Sequence, residues 1–205
     1  MMFGDGGIFA SGSGVELIDS DIVAGTLLST GSFNFSGYAA GDEFIVIANS
    51  TNSTGGSVVQ SGWTTVDSAT NTRIWRRTLA ADNPNTYDFR SSSSGTNAIF
   101  VGFIVRNATT FTGNSYATAA APINMTVTGL GNPALVMAAA GNPNGTLRPT
   151  MTTGYSDHSL TDTAPDAIGV RGGSEIVSSG SQTVIASSGS GQRRPSFSGS
   201  IIAAY

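Results

Sequence analysis

The chain has 205 residues, a formal net charge of −4 and a sequence pI of about 4.7. Charged residues make up 11% of the sequence, less than half of the roughly 25% that is usual in globular domains. An acidic chain with so few basic groups has no positive surface to offer a phosphate backbone, so we expect no nucleic-acid partner.

The residue types that most often carry chemistry are scarce. There is no cysteine, which excludes disulfides, thiol catalysis and cysteine-based metal sites. The single histidine, His158, lacks further nitrogen or sulfur ligands for zinc and is interpreted as a loop residue. We therefore predict a non-enzymatic chain with no catalytic residue, metal or cofactor, while calcium binding through scattered Asp and Asn oxygens stays open.

Residues 1–14 are rich in Gly and Ser and predict a flexible N-terminal arm. Phe3, Ile8 and Phe9 lie within it, and they either belong to a disordered end or anchor the arm on a neighbouring subunit. This segment lacks the basic and apolar parts of a signal peptide. No run of 18 apolar residues occurs, so we expect no membrane insertion.

The first half contains several strand signals. Residues 15–28 are mostly apolar with acidic interruptions and predict either a strand pair or one short helix. Residues 32–36 (SFNFS) alternate, which puts Phe33 and Phe35 on one face of a strand. The other predicted strands of this half are 43–49 (EFIVIAN), 72–79 (TRIWRRTL), 86–90 (TYDFR) and 98–105 (AIFVGFIV).

The second half contains a degraded copy of the same order. The matching segments are 124–128 (NMTVT), 132–140 (NPALVMAAA), 154–156 (GYS), 167–171 (AIGVR), 182–186 (QTVIA) and 198–204 (SGSIIAA). The spacing between partners drifts from about 91 to about 99 residues, as loop insertions would cause. The pattern predicts an internal duplication, with related halves at about 30–110 and 120–205.

These signals together predict one all-β domain over residues 15–205. Two halves of about five strands each would pack as facing antiparallel sheets around a common core. The expected fold is an antiparallel, jelly-roll-like β-sandwich with internal pseudo-twofold duplication. Helix content should be low, because no segment sustains a 3.6-residue period.

Two tryptophans and an arginine-rich strand are the candidate contact residues. The predicted ligand or partner contacts are Trp63, Trp75, Arg76, Arg77 and Tyr155. Aromatic rings of this kind can form a platform for a sugar, but they also supply core or rim packing in small sandwiches. Alternation groups Trp75 with Arg73 and Arg77, and it sends Arg76 to the other face, so an arginine could stack on a ring or bridge to a neighbouring chain.

The order of GWT (62–64), IWRR (74–77), TYDF with SSSSG (86–95) and AIFVGFIV resembles a pattern of bacteriophage virion proteins. The resemblance covers about residues 30–205, including the apolar C-terminal strand SGSIIAAY, although Tyr155 stands where the first half has Trp63. It implies a non-enzymatic head decoration, spike, tail or fibre subunit. Such a protein would be a homo-oligomer that contacts capsid or tail subunits. It would be made in the host cytoplasm and carried on an extracellular particle.

Two other functions stay open. The aromatic residues also fit a carbohydrate-binding module or adhesin that recognises host surface glycans. A glycan-degrading enzyme would need two carboxylates facing each other across a cleft. The adjacent pair Asp42–Glu43 is expected to point to opposite faces of its strand and does not fit that requirement.

Overall fold

The protein is all-β in a computed structural model. The structure describes residues 14–26, 30–51, 57–58, 61–80, 86–90, 97–131, 133–143, 147, 149–152, 160–163, 169–178, 180–188 and 195–205. Within these residues there are sixteen strands and no helix, so the predicted all-β class is confirmed.

Eight strands lie in each half of the chain. Those of the first half are β1 (Glu16–Thr26), β2 (Thr30–Asn34), β3 (Glu43–Ser50), β4 (Ser57–Val58), β5 (Thr64–Ala69), β6 (Thr72–Thr78), β7 (Thr86–Arg90) and β8 (Asn97–Arg106). Those of the second half are β9 (Phe111–Ala120), β10 (Ile123–Leu130), β11 (Ala134–Asn142), β12 (Thr150–Met151), β13 (Leu160–Thr163), β14 (Gly169–Val177), β15 (Gly180–Ser187) and β16 (Ser196–Ala204).

The two halves have the same strand order. In the first half, sheet I runs β1-β8-β3-β6-β5 and sheet II runs β2-β7-β4. In the second half, sheet III runs β9-β16-β11-β14-β13 and sheet IV runs β10-β15-β12, so each strand number is raised by eight. Every described strand pair is antiparallel. The common topology agrees with related halves, whose common origin stays a prediction.

The four sheets stack in the order II, I, III, IV. Sheets I and III face each other across an interface that we call the seam, where β1 lies against β13, β3 against β11 and β5 against β9. The seam is apolar at its centre, with buried side chains from both sheets: Ile45, Ile47, Ile74, Val101, Phe103, Leu135, Met137, Ala139 and Ile202. Sheets I and III are thus covered on both faces.

Burial on both faces explains the uninterrupted apolar sequences of the central strands. All eight residues of β3 and all nine of β11 are buried. An antiparallel strand with one wet face would alternate instead. The predicted buried strands at 43–49 and 98–105 are therefore confirmed as β3 and β8, the inner strands of sheet I.

Each half also has a core between its large and small sheets. In the first half Phe33 and Phe35 of the SFNFS segment are buried and meet Phe44 edge to face, with ring centroids 5.6 and 4.9 Å apart. In the second half Met125 and Val127 are fully buried between sheets III and IV. The predicted alternation at 32–36 and 124–128 is confirmed in both places.

Several details differ from the sequence prediction. Residues 16–26 form the single strand β1 rather than a hairpin or a helix. Each half has eight described strands, where we expected about five, and each half has a core of its own in addition to the common core of the seam. The predicted match of 43–49 with 134–140 sets opposite strand faces against each other, because Ile45 faces the seam whereas Val136 faces the core between sheets III and IV.

Phe100 tests the core between sheets I and II. Its side chain is fully buried, with its ring 6.3 Å from that of Trp75. We expect Phe100→Ala to lower the free energy of unfolding by about 3–5 kcal/mol, because the change removes a large ring and leaves a cavity. Urea denaturation would measure this. Ile176→Ala is the control, since Ile176 is 53% exposed and should change stability little; equal effects of the two changes would contradict the four-layer arrangement.

Candidate functional site

Trp75 is a core residue. It is 4% exposed and lies between sheets I and II. The Arg73 guanidinium stacks over its ring at 5.7 Å from the centroid. The predicted grouping of Arg73 with Trp75 on one strand face is therefore confirmed, and the ring is packed in the core rather than presented to a ligand.

Trp63 lies at a corner of the molecule just before β5. Its ring is half-buried and meets Phe44 edge to face, with centroids 4.9 Å apart. Gly62 adopts φ = +90°, which favours glycine, and the Arg77 Nη1 donates to the Ser61 carbonyl at 3.1 Å. Arg77 therefore holds the turn that presents Trp63. We call Trp63, Arg77 and the turn between Ser61 and Gly62 the tryptophan corner.

Arg76 points to the opposite face of β6, as predicted, and joins the two halves. Its guanidinium stacks over the Phe111 ring of β9 at 4.5 Å from the centroid. Its Nε also lies 3.6 Å from Oε2 of Glu43, whose Oε1 accepts from the Thr78 hydroxyl at 2.6 Å. The described contacts of Arg76 are thus with Phe111 and Glu43 at the border of the seam, where it links the first half to the second.

Arg106 and Asp42 form a forked ion pair. The Arg106 Nε and Nη2 donate to the two carboxylate oxygens at 2.9 and 2.8 Å, and Nη2 also donates to the Gly37 carbonyl at 3.1 Å. Asp42 also accepts from the Ala39 N–H at 2.7 Å. The hydrogen bonds to Asp42 raise the pKa of Arg106, and the charges of Asp42 and Glu16 raise it further.

The raised pKa makes this ion pair insensitive to pH on the arginine side. A group whose pKa is raised on folding contributes stability below its unfolded pKa and loses that contribution only as the pH rises through the folded value. Arginine is charged at all working pH values even before this shift. Arg106 therefore keeps its charge at every working pH.

An open groove lies beside this ion pair. Its volume is about 530 Å³, and it is lined by Ala39, Ala40, Gly41, Asp42, Arg106, Asn107, Ala108 and Thr109. The charged groups at its wall are already paired with each other. Besides the ion pair, the groove offers a ligand small methyl groups, backbone and the Asn107 and Thr109 side chains, and these lining residues carry no unpaired charge.

Acidic side chains close the free edges of the large sheets. On β1, the edge strand of sheet I, the carboxylates of Asp19 and Asp21 accept from the backbone N–H of Ser20 and Ile22, both at 2.8 Å. A register shift between residues 17 and 19 further disturbs this edge. Edge strands with free donors invite pairing with other chains, and caps of this kind prevent it.

Two other edge strands have comparable caps. The carboxylate of Asp67 on β5 accepts from the N–H of Ser115 on β9 at 2.6 Å. On β10, the Tyr116 hydroxyl accepts from the Thr126 N–H at 2.7 Å and donates to the Thr126 carbonyl at 3.0 Å. Edge strands of sheets I, III and IV are thus capped at these residues.

The remaining predicted residues lie outside the part of the chain that can be described. These are Phe3, Ile8 and Phe9 of the arm, Tyr155, and His158. Asp42 and Glu43, the adjacent carboxylates, are separately engaged with Arg106 and Arg76. No three metal-ligating side chains come together among the described residues, and none of the described segments is a helix that could cross a membrane.

Sequence reasoning missed Arg106 and Tyr116, whose roles depend on partners far along the chain. Arg106 directly follows the apolar strand 98–105, and Asp42 directly precedes the apolar strand 43–49. Opposite charges at the ends of two buried strands could have indicated that these strands pair and that the two charges meet. Tyr116 lies in a strand that has no apolar alternation, and no signal marks it.

The comparisons with known proteins give no relative. No protein-family model, no curated protein and no solved structure matches this chain.

The Asp42–Arg106 pair can be tested by a double-mutant cycle. We expect Arg106→Gln to lower the free energy of unfolding by about 1–3 kcal/mol, because Asp42 is left buried without its partner. Adding Asp42→Asn should recover part of this loss, since no unpaired charge then stays buried. The control, Arg77→Gln, should cost about 1 kcal/mol or less, because it removes one exposed hydrogen bond. Additive effects of Arg106→Gln and Asp42→Asn would contradict the pairing.

Proposed function

We propose that the protein is a non-enzymatic structural component of a bacteriophage virion, a capsid decoration, head spike, or tail or fibre subunit that acts through protein–protein contacts. The observation that carries this proposal is the strand order, which occurs twice in the chain. The resemblance of residues 30–205 to phage virion proteins gives independent support from the sequence.

The strand order supports a jelly roll in each half. In the first half the pairs β1–β8, β2–β7 and β3–β6 are nested, and β3 also pairs with β8 and β4 with β7. A long antiparallel hairpin rolled into two sheets has this pairing. The same pairs recur between β9 and β16, which supports an internal duplication with pseudo-twofold character.

Jelly rolls of this kind build viral capsids, and they also occur in lectins and cupins. The argument from fold to function is one of analogy, since one fold serves several functions. Within those classes, the described chemistry favours assembly: the charged groups at the groove are paired with each other, and Trp75 is in the core.

The capped edges indicate how copies would assemble. A protein that reaches high local concentration on a particle must avoid uncontrolled strand pairing, and the Asp19, Asp21 and Tyr116 caps have that effect. Contacts between copies or with capsid or tail subunits would then use side-chain surfaces, including the N-terminal arm with Phe3, Ile8 and Phe9.

The tryptophan corner favours a second candidate, recognition of a host surface glycan. Trp63 is half-buried, and a cation and a backbone carbonyl lie beside it at Arg77 and Ser61. Sugars bind to such combinations of an aromatic face and directed polar groups. This function is compatible with a virion spike.

The virion proposal predicts that the chain is present in purified particles. Mass spectrometry of particles released from the producing host should detect its peptides at a constant ratio to the major capsid protein across density-gradient fractions. An abundant host cytosolic protein serves as the contamination control. If the chain follows the cytosolic protein and not the particles, the virion proposal is wrong.

The edge caps predict the behaviour of a double variant. Asp19→Ala with Asp21→Ala should self-associate into species larger than wild type, because two backbone donors on β1 become free to pair with another strand. Sedimentation velocity over a range of concentrations measures this.

Glu16→Ala is the matched control for the edge caps. It removes one carboxylate from the same strand, and Glu16 contributes attraction to Arg106 instead. Unchanged sedimentation of the double variant, or equal association of the control, would count against the capping role.

The glycan alternative predicts a loss of binding without unfolding. Trp63→Ala should abolish any signal on a glycan array while the melting temperature falls by only a few degrees, because the ring is at the border of the core. Wild-type protein that binds no glycan on the array would exclude this alternative and would leave the virion proposal intact.

A further inference from the structure

One flank of the seam is polar, in contrast to its apolar centre. Thr72 of β6 and Ser200 of β16 are fully buried, and their hydroxyl oxygens lie 2.7 Å apart. The Ser200 hydroxyl also lies 2.9 Å from that of Ser115 on β9, and the Thr72 hydroxyl donates to the Ala48 carbonyl at 2.9 Å. A chain of hydroxyl groups thus crosses from sheet I to sheet III.

Two unpartnered polar side chains flank this chain of hydroxyls. Asn49 of β3 is directly opposite Thr72 in the strand register, and Ser198 precedes Ser200 by two residues on the same face of β16. Both side chains are 0% exposed. Neither the Asn49 Nδ2 and Oδ1 nor the Ser198 Oγ has a hydrogen-bond partner among the described residues.

Burial of the Asn49 carboxamide and the Ser198 hydroxyl destabilises the fold unless each finds a hydrogen-bond partner. A side-chain amide offers two donors and one acceptor oxygen, and each of these groups destabilises the fold if it is buried without a hydrogen-bond partner. Ordered water commonly satisfies groups of this kind, at about one buried molecule per 27 residues. Ser198 is opposite Gly141 of β11, a residue with no side chain to fill the seam at that row.

We propose that Asn49 and Ser198 form an internal water-binding site that extends the Thr72–Ser200–Ser115 hydroxyl chain across the seam. Water bonded to the Asn49 carboxamide from sheet I and to the Ser198 hydroxyl from sheet III links the two halves by directed bonds. Apolar packing alone does not define the relative register of two sheets, whereas hydrogen bonds do. The site therefore fixes how the halves are aligned.

The site belongs to one flank of the seam only. On the other flank, Val101 of β8 fills the space over Gly172 of β14, where an added Cβ would lie 2.6 Å from the valine Cγ1. Ile99 and Val101 are fully buried there. At Val101 and Gly172 the seam is thus closed by direct apolar contact, and these residues leave no polar group to hydrate.

A crystal structure at high resolution tests the proposal directly. We expect density for water within hydrogen-bond distance of both the Asn49 carboxamide and the Ser198 hydroxyl. An Asn49 side chain bonded directly to a protein atom, a dry seam at this row, or density for a different molecule would each overturn the proposal.

A double-mutant cycle gives a test in solution. Asn49→Ala and Ser198→Ala should be non-additive in melting temperature by at least about 2 °C, because either change removes a ligand of the same water. The control pair is Asn49→Ala with Ser174→Ala. Ser174 is also buried and unpartnered among the described residues, but it is opposite Met137, four residues or roughly 13 Å along β11 from Gly141.

The control pair should be additive, since the two residues share no water. Additivity of the Asn49 and Ser198 changes, or equal coupling in the control pair, would overturn the proposal. If Asn49→Ala does not fold, Asn49→Leu provides the same comparison, because leucine has a similar shape and no hydrogen-bonding group, and the crystal structure of the wild type stands as an independent readout.

Discussion

The structure depends on the burial of sheets I and III on both faces. Each is covered by its partner across the seam and by a small sheet on the outside. This constraint requires both sides of β3, β8, β11 and β16 to be apolar or small, which is unusual for antiparallel strands. Polar and charged residues therefore lie mainly at the sheet edges, in the turns and on one flank of the seam. The edge caps, the ion pairs and the hydroxyl chain are found at these places.

Close packing of four layers explains the distribution of glycine and large side chains. An added Cβ at Gly102 would lie 2.9 Å from the Phe33 and Phe35 rings, and one at Gly199 would lie 2.5 Å from the Met125 sulfur. Gly102 of β8 in the first half and Gly199 of β16 in the second half thus make room for the side chains that pack between the large and small sheets. The first half fills its core with phenylalanines, and the second uses methionine, valine and alanine. Different side chains therefore build the same order of layers in the two halves.

The sequence predicted the inner strands well because their signal is hydrophobic. The strands around EFIVIAN, TYDFR and AIFVGFIV were all identified, and the residues that fill the outer cores were identified from alternation. It failed at β5 and β9, whose residues are mostly exposed or half-buried and show no alternation. These edge strands are held by side-chain bonds such as that from Ser115 to Asp67, which depend on the fold. The predicted match between β3 and β11 paired opposite faces because both faces of these strands are apolar, so the hydrophobic pattern does not define the register.

Several of the described acidic residues are engaged within the chain, and this bears on the interpretation of the net charge of −4. Asp19, Asp21 and Asp67 accept backbone N–H groups at sheet edges, while Asp42 and Glu43 pair with arginines at the seam and the groove. Acidic composition alone would suggest cation binding or attraction to a basic partner. Because these five carboxylates are already bonded within the chain, the net charge does not by itself mark a cation site or a surface for a basic partner at them.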